Sequence, residues 1–147
     1  MLVLRSATLA DAAAIADLTA ELGYSHDVAA IRHRLEQLLP TPHELVLVAE
    51  EAEVVIGWLH AHLSIALESG LRGEIVGLVV SATHRRSGAG RALVRAAEDW
   101  AAARGAPVVV VRSNVRREES HRFYLALGFI HSKTQAVYQK PGTVPAA

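Results

Sequence analysis

Arg85-Arg86-Ser87-Gly88-Ala89-Gly90 is the stretch whose residue types point most directly to chemistry. Glycines two apart remove the Cβ atoms that would hold a phosphate away from the main chain. An amphipathic helix pattern follows at once, and the unpaired N–H groups of a helix's first turn carry the partial positive charge an anion needs. Two nucleotide readings fail on inspection. The dinucleotide fingerprint needs glycine or alanine where Leu93 stands, and an acidic residue about 20 positions on, where Val108 to Val111 lie. A P-loop needs Gly-Lys-Ser/Thr, and here the chain reads Gly90-Arg91-Ala92. A flavin or nicotinamide oxidoreductase falls with the fingerprint. His60-x-His62 is the second chemical signal: in a strand both imidazoles share one face. No third ligand is placed beside them by the sequence, so no metal is expected. The chain has no cysteine and no Gly-x-Ser-x-Gly motif, so a covalent acyl-enzyme is not expected either.

Holding these groups requires a strand before the loop and a helix behind it. Glu74 to Val80 supplies an apolar strand. Ala92, Leu93, Ala96, Ala97, Trp100 and Ala101 supply the buried face of the helix, which Gly105 closes. Upstream, Leu2 to Leu4 reads as a strand, and Thr8-x-x-Asp11 as a capping box opening a helix. A second helix from Val28 ends at Pro40, and strands at 44–50 and 54–63 form a hairpin. Downstream come the β-branched run Val108 to Val111, suited to a strand buried on both faces, then a short helix from Glu118 to Leu127. A last strand or two is predicted over 129–139.

The whole is one domain, residues 1–140, with a flexible tail at 141–147. Its 147 residues are 51% hydrophobic, with fifteen basic and fifteen acidic side chains. No bulk field favours nucleic acid or an anionic membrane, so neither is an expected partner. The lack of a signal-peptide pattern, of a long apolar run and of cysteine fits the cytoplasm.

These landmarks together resemble the GNAT superfamily of acyl-CoA-dependent N-acyltransferases. Arg85-x-x-Gly88-x-Gly90 after Leu78-Val79-Val80 is similar to its pyrophosphate motif. Leu4-Arg5-x-Ala7-Thr8-x-x-Asp11 is similar to its usual opening, Val48-Ala49-Glu50 and Val55-Ile56-Gly57 to its central hairpin, and Phe123-Tyr124-x-x-x-Gly128-Phe129 to its late signature. The resemblance implies an α/β (α+β) fold: a mixed, mostly antiparallel sheet of six to seven strands flanked by four helices, splayed at the central parallel strands. It also implies acetyl-CoA as co-substrate, a small-molecule or peptide amine as acceptor, direct attack in a ternary complex, and pairing as a homodimer. A non-catalytic acyl-CoA-binding or sensing module is the alternative.

Residue by residue, the resemblance implies that backbone N–H groups of Arg86, Ser87, Gly88, Ala89 and Gly90 hold the coenzyme A pyrophosphate. Arg85, Arg86 and Arg91 add charge, and backbone at Leu78, Val79 and Val80 holds the pantetheine arm. Asn114 replaces an asparagine that the family commonly carries where this chain has Arg117. Tyr124 would protonate the departing thiolate. Glu74, or a histidine such as His60, would take the proton from the amine, whose deprotonation at neutral pH costs about 4–5 kcal/mol for a lysine-like pKa. Tyr24, His26 and Trp58 would border the acceptor. Which amine, and which acyl chain, the residues leave open.

Overall fold

A computed structural model describes residues 1–23, 27–113 and 117–145. The chain forms two compact units, Met1–Arg112 and Ser113–Ala147. The first holds a five-stranded sheet in the order β1 (Leu2–Ser6), β2 (Glu44–Glu51), β3 (Val54–Ala66), β4 (Gly70–Val80), β5 (Val109–Val111). The first four strands pair antiparallel, and β4 with β5 parallel. Three helices accompany it: α1 (Ala12–Ala20), α2 (Val28–Leu38) and α3 (Ala89–Ala103). The second unit contributes α4 (Glu118–Ala126). The mixed, mostly antiparallel sheet with four helices is as expected, but the sheet has five strands among the described residues, not six to seven. None of the expected late strand at 129–139 forms. Residues 131–136, His-Ser-Lys-Thr-Gln-Ala, offer no alternating apolar face to bury, and Ile130, Val137 and Tyr138 stand 84–93% exposed.

Local chemistry explains where the elements start. The Asp11 carboxylate accepts from the Thr8 N–H at 2.7 Å and from both terminal nitrogens of Arg5 at 2.8 Å, so one buried side chain caps the first turn and ties it to β1. Arg5 also donates Nε–H to Glu50 on β2 at 2.8 Å. Asp27 caps α2 by accepting from the Ala29 N–H at 3.2 Å. The β2–β3 hairpin turns through Ala52 and Glu53, both left-handed at φ 51° and 64°. That is the conformation a two-residue hairpin matching the sheet twist demands.

The sheet's two faces are covered differently. Val46, Val48 and Trp58 pack with Ala12, Ile15, Ile31 and Leu35 of α1 and α2. On the other face Leu93 of α3, fully buried, lies against Gly57. Because Trp58 pairs with Val48, His60 with Val46 and His62 with Glu44, both histidines fall on the α1–α2 face.

Two irregularities shape β4. Its register against β3 shifts between His60 and Ala61, leaving Val76 as an extra residue. Its parallel pairing to β5 stops at Ile75 with Val111, so Val76–Val80 has no strand partner on that side among the described residues. This is the splay expected at the central parallel strands. No helix of the described residues is long and apolar enough to cross a membrane.

Candidate active site

The glycine loop is built as its sequence suggested. β4 ends at Val80, a 3-10 turn covers Ala82–His84, and α3 begins at Ala89, one residue before Gly90. Gly88 is the N-cap, left-handed at φ 84°. A Cβ placed there would meet no protein atom within 4 Å, so the space over Gly88 is open. The first α-helical hydrogen bond runs from the Ala92 N–H to the Gly88 carbonyl at 3.0 Å. Ser87 Oγ accepts the Ala89 N–H at 3.3 Å, and the N–H groups of Gly90 and Arg91 have no acceptor among the described residues. Arg85, Arg86 and Arg91 are all exposed beside them. Backbone donors at a helix N-terminus thus adjoin three exposed arginines, an arrangement chemically suited to an anion. Glu21, just past α1, accepts the Ala82 N–H at 3.0 Å and ties the loop to that helix.

Leu78, Val79 and Val80 lie on the stretch of β4 without an outer partner, next to the loop. Glu74 lies six residues back along the same strand, about 20 Å at a strand's rise. Its side chain is buried, on the α1–α2 face opposite His62. Arg112 Nη1 donates to Glu74 Oε1, and His62 Nε2 lies 3.4 Å from Glu74 Oε2. Across the next strand Glu44 approaches both histidines, at 3.4 Å from His62 Nδ1 and 3.6 Å from His60 Nε2. Arg112, Glu74, His62, Glu44 and His60 thus form one chain of ionisable groups crossing four strands or strand ends. Burial holds the His60 imidazole below its ordinary pKa, with Glu44 pulling the other way.

Sequence reasoning missed two members of this chain. Glu44 was read only as the first residue of a strand, and the expectation that no third ligand stands near His60 and His62 does not hold. Counting the hairpin back from its turn at 52–53 sets Glu44 opposite Ala61; a β-bulge at Ile56 shifts the register by one residue and brings it opposite His62 instead, so spacing alone could not have found it. Arg112 was not singled out; it stands two residues past Val110, which pairs with Glu74, and so on the same side by strand alternation.

Trp58 is half-buried against α1, its indole N–H donating to Thr19 Oγ1 at 3.2 Å. Its ring reaches over Gly77, where a Cβ would come within 2.7 Å of two ring carbons, so only glycine admits it there. Tyr124 belongs to the second unit, on α4. Its ring meets Phe123 and Phe129 edge-on, with centroids 5.1 and 5.6 Å apart, and burial raises its phenol pKa. Tyr24, His26 and Asn114 lie outside the described residues.

A sequence model of the acetyltransferase (GNAT) family matches residues 12–129. The aminoalkylphosphonate N-acetyltransferase of Salmonella typhimurium is 31% identical over 131 residues, which cover 88% of this chain and 85% of that protein. The acetyl transferase GW6a of Oryza sativa subsp. japonica is 37% identical over 84 residues; the match spans 49% of this chain but only 20% of the rice protein. Among solved structures, the apo aminoglycoside 6′-N-acetyltransferase of Acinetobacter haemolyticus superposes with a TM-score of 0.83 at 25% identity, covering 96% of this chain and 99% of that one. The aminoglycoside N-acetyltransferase AAC(6′)-Iy, solved with CoA, gives 0.86 at 20% identity, covering 95% of each, a likeness of fold. By its glycine loop, its splayed sheet and these matches, the chain belongs to the acetyltransferase (GNAT) family.

Proposed function

We propose that this protein is an acetyl-CoA-dependent N-acetyltransferase acting on a small-molecule primary amine by direct attack in a ternary complex. The observation that carries this reading is the separation along β4: an anion cradle at one end, a buried carboxylate at the other. A nucleotide that reacted at its phosphates would need catalytic groups at the loop, whereas a coenzyme with a long arm places its reactive carbon far from its phosphates. The Gly90 and Arg91 N–H groups, with Arg85, Arg86, Ser87, Gly88 and Ala89, hold the pyrophosphate of coenzyme A. The unpaired edge of Leu78, Val79 and Val80 offers backbone groups to the pantetheine arm and to the thioester carbonyl, whose oxygen gains negative charge in the transition state.

On this reading Glu74 or His60 takes the proton from the attacking amine. Arg112 and His62 hold the Glu74 carboxylate in place, and the lowered pKa of His60 keeps that imidazole neutral and able to accept. The amine nitrogen attacks the thioester carbon, the carbon–sulfur bond breaks, and Tyr124 gives its proton to the thiolate. The raised pKa of Tyr124 keeps that proton on the phenol until it is needed. Trp58 lines the acceptor side. The names of the Salmonella and Acinetobacter relatives, an aminoalkylphosphonate and an aminoglycoside acetyltransferase, favour a small amine over a protein as acceptor.

Thiol release from acetyl-CoA over a panel of aminoalkylphosphonates, aminoglycosides, amino acids and peptides tests this. Amine-dependent release supports it. Tight coenzyme A binding with no release on any amine would instead support a sensing module.

A further inference from the structure

We propose that Glu44, His60 and His62 form a binding site for one divalent transition-metal ion of the zinc type, with Glu74 orienting His62 from behind. The site does not depend on the acetyltransferase reading. Its three side chains come from two neighbouring strands, on one face, and each offers a ligand atom within 4.8 Å of the others. Metal–nitrogen and metal–oxygen bonds of about 2.0–2.2 Å in a tetrahedral site put ligand atoms about 3.3–3.6 Å apart. The two separations to Glu44, 3.4 Å from His62 Nδ1 and 3.6 Å from His60 Nε2, already fall in that range.

The polar atoms also lack better employment. Glu44 Oε2 and His60 Nε2 are excluded from solvent and make no hydrogen bond of good geometry. An unpaired polar atom out of water is costly. Proton counting makes the arrangement more pointed. If His62 carries its proton on Nε2, it donates to Glu74, and its Nδ1 lone pair faces the Glu44 carboxylate. If the proton moves to Nδ1, the Nε2 lone pair faces the Glu74 carboxylate instead. In both neutral tautomers a lone pair opposes an anion.

A cation between Glu44 and the two rings removes the conflict. It accepts His62 Nδ1, His60 Nε2 and a Glu44 oxygen, while His62 Nε2–H donates to Glu74. A ring that ligates through one nitrogen and donates the other N–H to a carboxylate is the usual support of a metal-bound histidine. Two imidazoles and one carboxylate suit zinc, cobalt or nickel rather than magnesium or calcium. A metal on His60 Nε2 would also occupy the lone pair that could take a proton from the amine, leaving that work to Glu74.

Titration of the metal-stripped full chain with Co²⁺ alone, read by visible absorption, and with Zn²⁺ alone, read by calorimetry, tests the site. The expected result is one ion per chain, visible Co²⁺ bands displaced by Zn²⁺, and no competition from Mg²⁺. Glu44→Gln and His60→Asn should each abolish the bands, and Glu74→Gln should weaken binding about 10- to 100-fold. Circular dichroism on each variant separates loss of binding from loss of fold, and Arg72→Gln, outside the ligand set, should bind as the parent does. Absence of saturable Co²⁺ or Zn²⁺ binding would overturn the proposal. So would binding unchanged in a folded Glu44→Gln or His60→Asn.

Discussion

Replacing Gly88 by asparagine and by aspartate separates backbone strain from charge at the proposed pyrophosphate cradle. Residue 88 sits at φ 84°, and a side chain there enters open space, so neither variant clashes with the protein. Both carry the cost of a left-handed L-residue, at most about 1–2 kcal/mol and less for these two side chains, which tolerate the region best. For a chain of 147 residues that corresponds to a melting temperature lower by about 2–8 °C, and by nearly the same amount in both variants. Only aspartate adds an anion. A unit charge about 4 Å from a phosphate charge costs about 1 kcal/mol in full solvent and about 4 kcal/mol at the effective dielectric of a protein surface. Coenzyme A should therefore bind Gly88→Asp about 5- to 1,000-fold more weakly than Gly88→Asn. Residue 88 is exposed, so the gap should narrow as ionic strength rises. Isothermal titration with coenzyme A reads both effects. Two variants that melt alike and bind coenzyme A within two-fold of each other would refute the placement of a phosphate over residue 88.

Tyr124→Phe should lower turnover about 10²-fold or more while leaving coenzyme A affinity within two-fold, as removal of a general acid does; unchanged turnover in stopped-flow and steady-state assays removes Tyr124 from that role. Glu74→Gln should lower kcat about 10²- to 10⁴-fold with coenzyme A affinity retained, and with little loss of stability, because Arg112 is 59% exposed and can be solvated once its partner is neutral. A kcat within three-fold of the parent would assign the proton to a histidine instead. Asp11→Asn should destabilise the fold by about 1.5–3 kcal/mol at neutral pH by removing charge-assisted bonds from Arg5. Those bonds hold the Asp11 carboxyl below its ordinary pKa, so their contribution is complete above about pH 4 and is lost as pH falls toward the lower folded value. Urea unfolding of both proteins should show curves that converge below about pH 4; a constant difference down to pH 3 would contradict this.

What was legible in the sequence followed from local rules. The Arg85–Gly90 loop, the Thr8–Asp11 box and the α3 face each rest on residues within one or two turns of one another, so spacing alone sufficed. The ionisable chain across the sheet was only half legible. His60 and His62 share a face by alternation, but Glu44 joins them through a β2–β3 register that a β-bulge at Ile56 shifts by one residue, and Arg112 through the parallel pairing of β4 with β5. The stretch 129–139 erred in the other direction. Its aromatic and β-branched residues suggested a strand, yet strand propensity is expressed only where a partner and a buried face exist, and residues 131–136 provide no such face.

The central claim is transfer of an acetyl group from acetyl-CoA directly to an amine. Initial velocities over a matrix of acetyl-CoA and the best amine from the panel, with intact-protein mass spectrometry of enzyme incubated with acetyl-CoA alone, test it most directly. Direct transfer predicts intersecting double-reciprocal lines and no acetylated protein. Parallel lines with an acetylated enzyme, or no amine-dependent thiol release at all, would contradict it.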